Sequence, residues 1–372
     1  MASTSTLIEN IQAVVARPDG ERGPVVVLCH DAAGIDGFMR DTVALYAEEG
    51  YVAVLPDLTG SSDPVGDLSI IIRAVRTWPD AEAKIGLLGF GAGAETAFKA
   101  AASLDIDAAV TYGGEGFNAS AKLRCPITIQ LPGGDNSNAI KQAFAGASDV
   151  EVFVYDGLGK DFENPASSNY MKALALLAHD RAIGRFRRAM GPHYDLGALW
   201  EHHKNCEFIY CDTPATMASM VASPYVNHIP TMTGGVGFEQ LARFYKYHFI
   251  PKNSAERNGV LISRTIGATQ VVEEILSRFR HDTELDWMLP GVKPTGKWIE
   301  IPMIVVIKFR GPKLYHEHIY WDQASVLAQV GLIDPTGLPV AGAAQAHKLI
   351  DESLPSNTLL PNWSESEGKP IP

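Results

Sequence analysis

Six short runs of aliphatic and β-branched residues recur along the first half of the chain: PVVVLC (24–29), YVAVLP (51–56), KIGLLG (84–89), IDAAVTY (106–112), PITIQL (126–131) and VEVFVY (150–155). Stretches with the spacing of amphipathic helices lie between them. Strands that are apolar at consecutive rather than alternate positions are buried on both faces, so the alternation predicts a parallel sheet covered by helices on both sides. The rhythm persists to about residue 182 and changes after RFRRAMGPHYDLG. There, helices are predicted near 197–210 and 236–248, followed by the long strands VVEEILSRF, WIEIPMIVVIKF and KLYHEHIYW in succession. Strands following helices in this way predict an α+β unit built on an antiparallel sheet. Two domains are expected, 1–184 and 197–340, then a tail over 341–372 that is poorly ordered or lies on the surface. No internal repeat is visible.

A chain of 372 residues exceeds what one compact core usually holds, which agrees with two domains. Hydrophobic residues make up 46% and charged residues 20%, the composition of an ordinary soluble protein. A formal charge of −12 argues against a nucleic-acid partner, because such proteins concentrate Lys and Arg. The N-terminus has no basic segment followed by an apolar run, and no apolar stretch approaches membrane-spanning length, so a cytoplasmic protein without membrane association is expected. Cys29, Cys125, Cys206 and Cys211 are too few and too scattered for a disulfide scaffold or a zinc motif, and they read as free thiols.

The stretch KIGLLGFGAGAETAFKA (84–100) combines a strand, a glycine-rich turn and a helix start. A nucleophile elbow has this form and presents a hydroxyl or thiol beside backbone N–H donors, but the central position here is Gly91. Gly89, Gly91 and Ala94 also fit the G-x-G-x-x-A spacing of a dinucleotide turn, without the acid that should end the next strand. A third reading is a tight turn kept for packing. Over residues 8–182 the chain resembles the dienelactone hydrolase family of α/β-hydrolases, most clearly in PVVVLCHDAAGIDGFMRDTVALYAEEGYVAVLPDL, GFGAGA, TYGG, LPGGD and VYDGLGKDFENP. By that resemblance Asp31 stands for the family glutamate, Gly91 for the nucleophilic cysteine, Asp135 for the acid and Lys160 for the histidine. With nucleophile and histidine replaced, the resemblance implies a degenerate hydrolase site and a structural or regulatory first half.

The strand KLYHEHIYW offers different chemistry. Side chains two apart share a face, so His316, His318, Tyr320 and Asp322 form a polar row, either a solvated surface or one wall of a pocket. In an apolar pocket Asp322 is the expected catalytic base for a carbon-bound proton, with His318 donating to the enolate oxygen. His316 and Tyr320 are expected to contact substrate, with His228 and Asn227 from SPYVNHIP at the pocket mouth. Trp287, like Phe309 and Trp298, reads as a core aromatic or a platform for substrate. His316 and His318 also have the spacing of two metal ligands, which His228 or Asp322 could complete. Over roughly 197–340, and chiefly in PTGKWIEIP and HEHIYWDQASVLAQVGL, the chain resembles the SnoaL-like polyketide cyclase relatives of the ketosteroid-isomerase-like fold. That resemblance implies a cone-shaped α+β domain, Asp322 as the family aspartate, no metal or organic cofactor, and Lys308 as a substrate contact where a histidine is usual. It also implies a homodimer through the second half. The expected function is therefore acid/base catalysis on a small or polyketide-like carbonyl compound in the second half. The alternatives are an ester or lactone hydrolase with an unusual first-half site, for which Cys29 beside His30 and Asp31 is the nearby thiol, a His-ligated metalloenzyme, and a non-catalytic binding protein.

Overall fold

The computed structural model describes residues 3–19 and 22–372, and these divide into two compact units, one up to Tyr194 and one from Asp195. Among the described residues no helix is long and apolar enough to cross a membrane.

The first unit carries an eight-stranded sheet. Its strands are β1 (Ser3–Ile8), β2 (Ile11–Ala16), β3 (Gly23–Cys29), β4 (Val52–Pro56), β5 (Ala81–Phe90), β6 (Ala108–Tyr112), β7 (Ile127–Pro132) and β8 (Val150–Tyr155). Its helices are α1 (Gly37–Glu48), α2 (Pro64–Val75), α3 (Ala92–Ser103), α4 (Asp135–Ala143) and α5 (Lys172–Met190). The order β1-β2-β4-β3-β5-β6-β7-β8 is that of an α/β-hydrolase-like sheet: β3 to β8 run parallel, while β1 and β2 are added antiparallel. The sheet is thus mixed rather than wholly parallel. Glu9 and Asn10, both at positive φ, form the two-residue turn that joins the added hairpin.

Alternate residues of the parallel strands feed two cores. Val25, Val27, Ile85 and Leu87 pack with α2 and α3, whereas Val26, Leu28 and Leu88 pack with α1 and α5. Asp36 and Asp63 cap α1 and α2 by accepting from the backbone N–H groups of Met39 and Gly66, which fixes where each strand-to-helix crossing ends. The C-terminal ends of β3, β5, β6 and β7 then open onto one crevice, where ligands bind in open α/β sheets.

The second unit contains α6 (Leu196–Phe208), α7 (Thr213–Ala218), β9 (Met220–His228), β10 (Thr233–Val236), α8 (Gly237–Phe244), β11 (Arg257–Ile266), β12 (Gln270–Arg280), β13 (Trp298–Arg310), β14 (Lys313–Trp321), α9 (Gln323–Val330) and α10 (Ala344–Ile350). A five-residue π-helical turn, Tyr245–Phe249, follows α8. The six-stranded sheet has the order β10-β9-β14-β13-β12-β11. It departs from the expected antiparallel sheet at one pair, β9 with β14, which is parallel. Register places Glu273, Ile275, Ser277 and Phe279 of β12 on the same face as Met303 and Val305 of β13, Glu317 and Ile319 of β14, and Val226 and His228 of β9. This face bounds a cavity.

Candidate functional site

In the first unit the turn after β5 keeps the shape of an elbow without its side chain. Gly91 has φ +52° and ψ −117°, a left-handed conformation that only glycine adopts freely. Around it the packing leaves no room: an ideal Cβ on Gly89 would lie 2.4 Å from the Gly93 carbonyl oxygen, and one on Gly93 would lie 2.2 Å from that of Cys29. A Cβ on Gly91 would meet the Asp31 side chain instead, 2.3 Å from its Cγ. Asp31, delivered by the end of β3, accepts a 2.7 Å hydrogen bond at Oδ1 from the Ala92 N–H at the start of α3. The carboxylate therefore occupies the place a residue-91 side chain would take, at the positive end of the helix. A dinucleotide phosphate would need those same N–H groups and would meet a like charge, which removes the dinucleotide reading of Gly89, Gly91 and Ala94.

The crevice above the elbow has a volume of about 650 Å³. Six carboxylates line it, Asp31, Glu95, Glu115, Asp135, Asp161 and Glu163, against one cation, Lys160. Lys160 is exposed and donates a 3.0 Å hydrogen bond to Glu115 Oε1, which raises its pKa and holds it protonated. It cannot take the part of an imidazole base. Asp135 is exposed in the first turn of α4. Glu163 was not legible as a site residue, since nothing in KDFENP separates it from Asp161. The fold does: Glu163 is half-buried, and burial pushes its carboxyl up to about 7, with the Asp161 and Asp31 charges acting in the same direction. The Cys29 alternative fails, because the thiol is fully buried and burial pushes it up to about 12. His30 uses both ring nitrogens on backbone, donating from Nδ1 to the Asp31 carbonyl at 2.7 Å and accepting at Nε2 from the Leu58 N–H at 2.8 Å.

In the second unit β14 alternates as expected, but the polar row faces away from the cavity. The cavity, about 370 Å³, is lined from β14 by Glu317 and Ile319, the opposite face. His316, His318, Tyr320, Asp322, Asn227 and Lys308 are not among the lining residues, whereas His228 and Trp287 are. The reason is that the wall is mainly apolar, continuing the inward face of β13, so a mostly polar face was the wrong one to choose. Burial lowers the His228 imidazole to about 4, so it is neutral. The His316 and His318 rings stack at 4.5 Å, and the His228 that would complete a metal shell with them lines the cavity on the other face.

Asp322 is the N-cap of α9. Its carboxylate accepts from the Ser325 N–H at 3.2 Å, from Ser325 Oγ at 2.5 Å and from Gln345 Nε2 at 3.1 Å. Burial pushes its carboxyl up, but these hydrogen bonds prevail and hold it below the usual range, the opposite of what a proton-abstracting base requires. Asp322→Ala is accordingly expected to cost about 1–2 kcal/mol of stability in urea denaturation, the usual cost of a lost N-cap.

The cavity carries a polar cluster that was not singled out in the sequence. His203 and Glu207 of α6, one helical turn apart, meet Glu317 of β14: His203 Nε2 lies 3.2 Å from Oε1 of each glutamate. Tyr245, from the π-helical turn, donates to Glu317 Oε1 at 3.1 Å. Burial alone would lower the His203 imidazole, but the two carboxylates reverse this and raise it, while burial raises the Glu207 carboxyl. The available signal was the i, i+4 His–Glu pair in WEHHKNCEF.

Residues 11–67 and 61–190 match the family described as "Dienelactone hydrolase family". Carboxymethylenebutenolidase of Pseudomonas putida is 29% identical over 208 residues, covering 46% of this chain and 88% of that protein. Carboxymethylenebutenolidase 1 of Cupriavidus pinatubonensis is 23% identical with the same coverage of each chain. Among solved structures, a dienelactone hydrolase from Anabaena variabilis is similar with a TM-score of 0.42 at 19% identity, covering 51% of this chain and 98% of that one. The family and sequence matches overturn the expected division of labour, in which a SnoaL-like second half is the enzyme and the first half is structural: they lie in the first half and are to hydrolases.

Proposed function

Taking the N-terminal half as a dienelactone hydrolase-like domain, we propose that its crevice hydrolyses a neutral or cationic ester or lactone without forming an acyl-enzyme, with Asp31 activating water. The observation that supports this most directly is the Asp31 carboxylate standing where the missing nucleophile would be, 2.3 Å from the position of a Gly91 Cβ. With Oδ1 anchored on Ala92 N–H, Oδ2 takes a proton from water as the water oxygen attacks the carbonyl carbon. The acyl C–O bond then breaks, and Glu163, protonated near neutrality, gives its proton to the leaving oxygen. A carboxylic acid and an alcohol leave, and Asp31 returns its proton to solvent or to Glu163.

Charge sets the substrate class. Five carboxylates besides the protonated Glu163, facing one paired lysine, repel an anion, so a lactone that itself bears a carboxylate fits poorly. The test is a panel of p-nitrophenyl acetate, a simple δ-lactone, a choline ester and a carboxylate-bearing lactone. Turnover of the neutral and cationic members is expected, with kcat/KM at least about tenfold lower for the anion at low salt and the gap narrowing as salt rises. No turnover of any member, a preference for the anion, or a stoichiometric burst of alcohol would each overturn the proposal.

Glu163 gives a second expectation. As the proton donor it must be protonated, so kcat/KM should fall as pH rises through about 7, and Glu163→Gln should remove that inflection. Its folded pKa lies above the unfolded value of 4.5, so its contribution to stability is fully present below 4.5 and is lost as pH rises through about 7. Glu163→Gln should then be less active but more stable than wild type at pH 8, by about 1–3 kcal/mol in chemical denaturation.

A further inference from the structure

We propose that the second unit binds one divalent transition-metal ion through His203, Glu207 and Glu317, with a coordination position open to the apolar cavity. This does not rest on the hydrolase reading, which concerns the other unit.

The geometry is that of a ligand set. One atom from each of the three residues lies within 4.8 Å of the others, the arrangement found among the described residues for three or more His, Cys, Asp or Glu side chains. Two ligands bound at about 2.1 Å and subtending 95–110° stand about 3.1–3.4 Å apart. His203 Nε2 lies 3.2 Å from each glutamate Oε1, within that interval. The imidazole is also oriented from behind. Ser219 Oγ donates its one proton to the Thr216 carbonyl at 2.7 Å, so the 2.6 Å contact from His203 Nδ1 is an N–H donated to Oγ, which turns Nε2 toward the carboxylates.

Charge balance accommodates a divalent ion. Glu207 and Glu317 are 3% and 5% exposed at their side chains; without metal, an imidazolium and a proton on Glu207 balance them, and a divalent ion that displaces both protons balances the two carboxylates equally. A nitrogen and two carboxylates suit zinc, iron(II) or manganese rather than a soft copper(I) site. The open side is independently marked as a place for a ligand. Glu207 and Glu317 border the cavity, as do Trp200 and Trp287, which are 4% and 7% exposed and whose indole N–H groups have no hydrogen-bond partner. These two buried donors stand without an acceptor in residues that share the cavity wall with Glu207 and Glu317. Tyr245 holds Glu317 from the side, and its π-helical turn is a feature that recurs at functional sites.

The experiment uses the full chain, freed of metal with a chelator and titrated with Zn²⁺ and with Mn²⁺ by calorimetry at pH 7. One ion per chain is expected, with proton release visible as a dependence of the heat on buffer ionisation enthalpy. Glu317→Gln, nearly isosteric, should weaken binding at least about tenfold while its circular dichroism stays that of wild type. Bound Mn²⁺ in the wild type should show imidazole nitrogen coupling in pulsed EPR, a readout that needs no variant to fold. No binding at 100 μM metal (about the scale of weak adventitious sites) would overturn the proposal and leave the cluster a proton-held salt bridge. Binding without nitrogen coupling, or unweakened in a folded Glu317→Gln, would overturn it equally.

Discussion

Asp31→Asn is expected to lower kcat for ester hydrolysis by about 10² to 10⁴, the usual contribution of a general base, with KM and fold close to wild type. Asparagine keeps the shape of the side chain, and its carbonyl oxygen can still accept from the Ala92 N–H that now holds Asp31 Oδ1 at 2.7 Å. What it loses is the oxygen that takes a proton from water. The effect should therefore fall on turnover, and steady-state kinetics on whichever ester the panel identifies will separate it from binding. Asp135→Asn and Lys160→Ala serve as comparisons within the same crevice: both side chains are exposed, Lys160 is committed to Glu115, and neither takes part in a proton transfer, so each should change kcat by less than about threefold. An Asp31→Asn enzyme working at the wild-type rate would reduce Asp31 to a cap on α3. A loss in Lys160→Ala as large as in Asp31→Asn would instead place the base in the loop after β8.

The parts of this molecule that sequence exposes are those in which one physical term dominates. Each of the six aliphatic runs in the first half is a strand, and all but the half-buried edge strand β8 are buried on both faces, which leaves little choice of residue. The hairpin of β1 and β2 was missed because Ser3 to Thr6 are polar and exposed, and their pairing depends on a turn through two positive-φ residues, Glu9 and Asn10, that carry no glycine signal. The alternation of β14 was legible, but the face was not. Parity says that His316 and His318 lie together; only the pairing of Ile307 with Glu317 and Val305 with Ile319 says which face the apolar wall continues. Asp322 reads as a base because it is the carboxylate of the polar row and matches the aspartate of the resembled family, yet the same position is where α9 needs an acceptor for its first N–H groups, and Ser325 three residues on completes that cap. In the first unit the substitution at position 91 was plain from the sequence, but not its consequence. That the Asp31 carboxylate fills the vacated volume depends on β3 and β5 ending side by side, and the raised Glu163 carboxyl depends first on its burial, with the Asp161 and Asp31 charges adding to it.

Gly91→Cys restores the atom that the elbow lacks, and the expected result is a less stable and less active protein. A cysteine at φ +52° is strained by about 1–3 kcal/mol, and its Cβ would stand 2.3 Å from Asp31 Cγ, so the carboxylate must swing out and release the Ala92 N–H. Losing that hydrogen bond together with the backbone strain should destabilise the first unit by about 2–4 kcal/mol, measured by urea denaturation. The displaced Asp31 no longer holds the attacking water, which by itself should lower the wild-type reaction by about 10² or more. The thiol would not compensate. It would stand among carboxylates rather than beside an imidazolium, a field that raises a thiol pKa and keeps the thiolate scarce at neutrality. Lys160, held protonated by Glu115, can neither accept its proton nor return one to a leaving group. The single variant should therefore show slow labelling by a thiol reagent near pH 7 and no burst of alcohol from an activated ester. Adding Lys160→His should bring both back in part, since an imidazole that can reach the new thiol supplies the missing proton carrier. A stoichiometric burst from Gly91→Cys alone would mean that another group in the crevice already serves as its base, and the nucleophile-free mechanism built on Asp31 would then lose its footing.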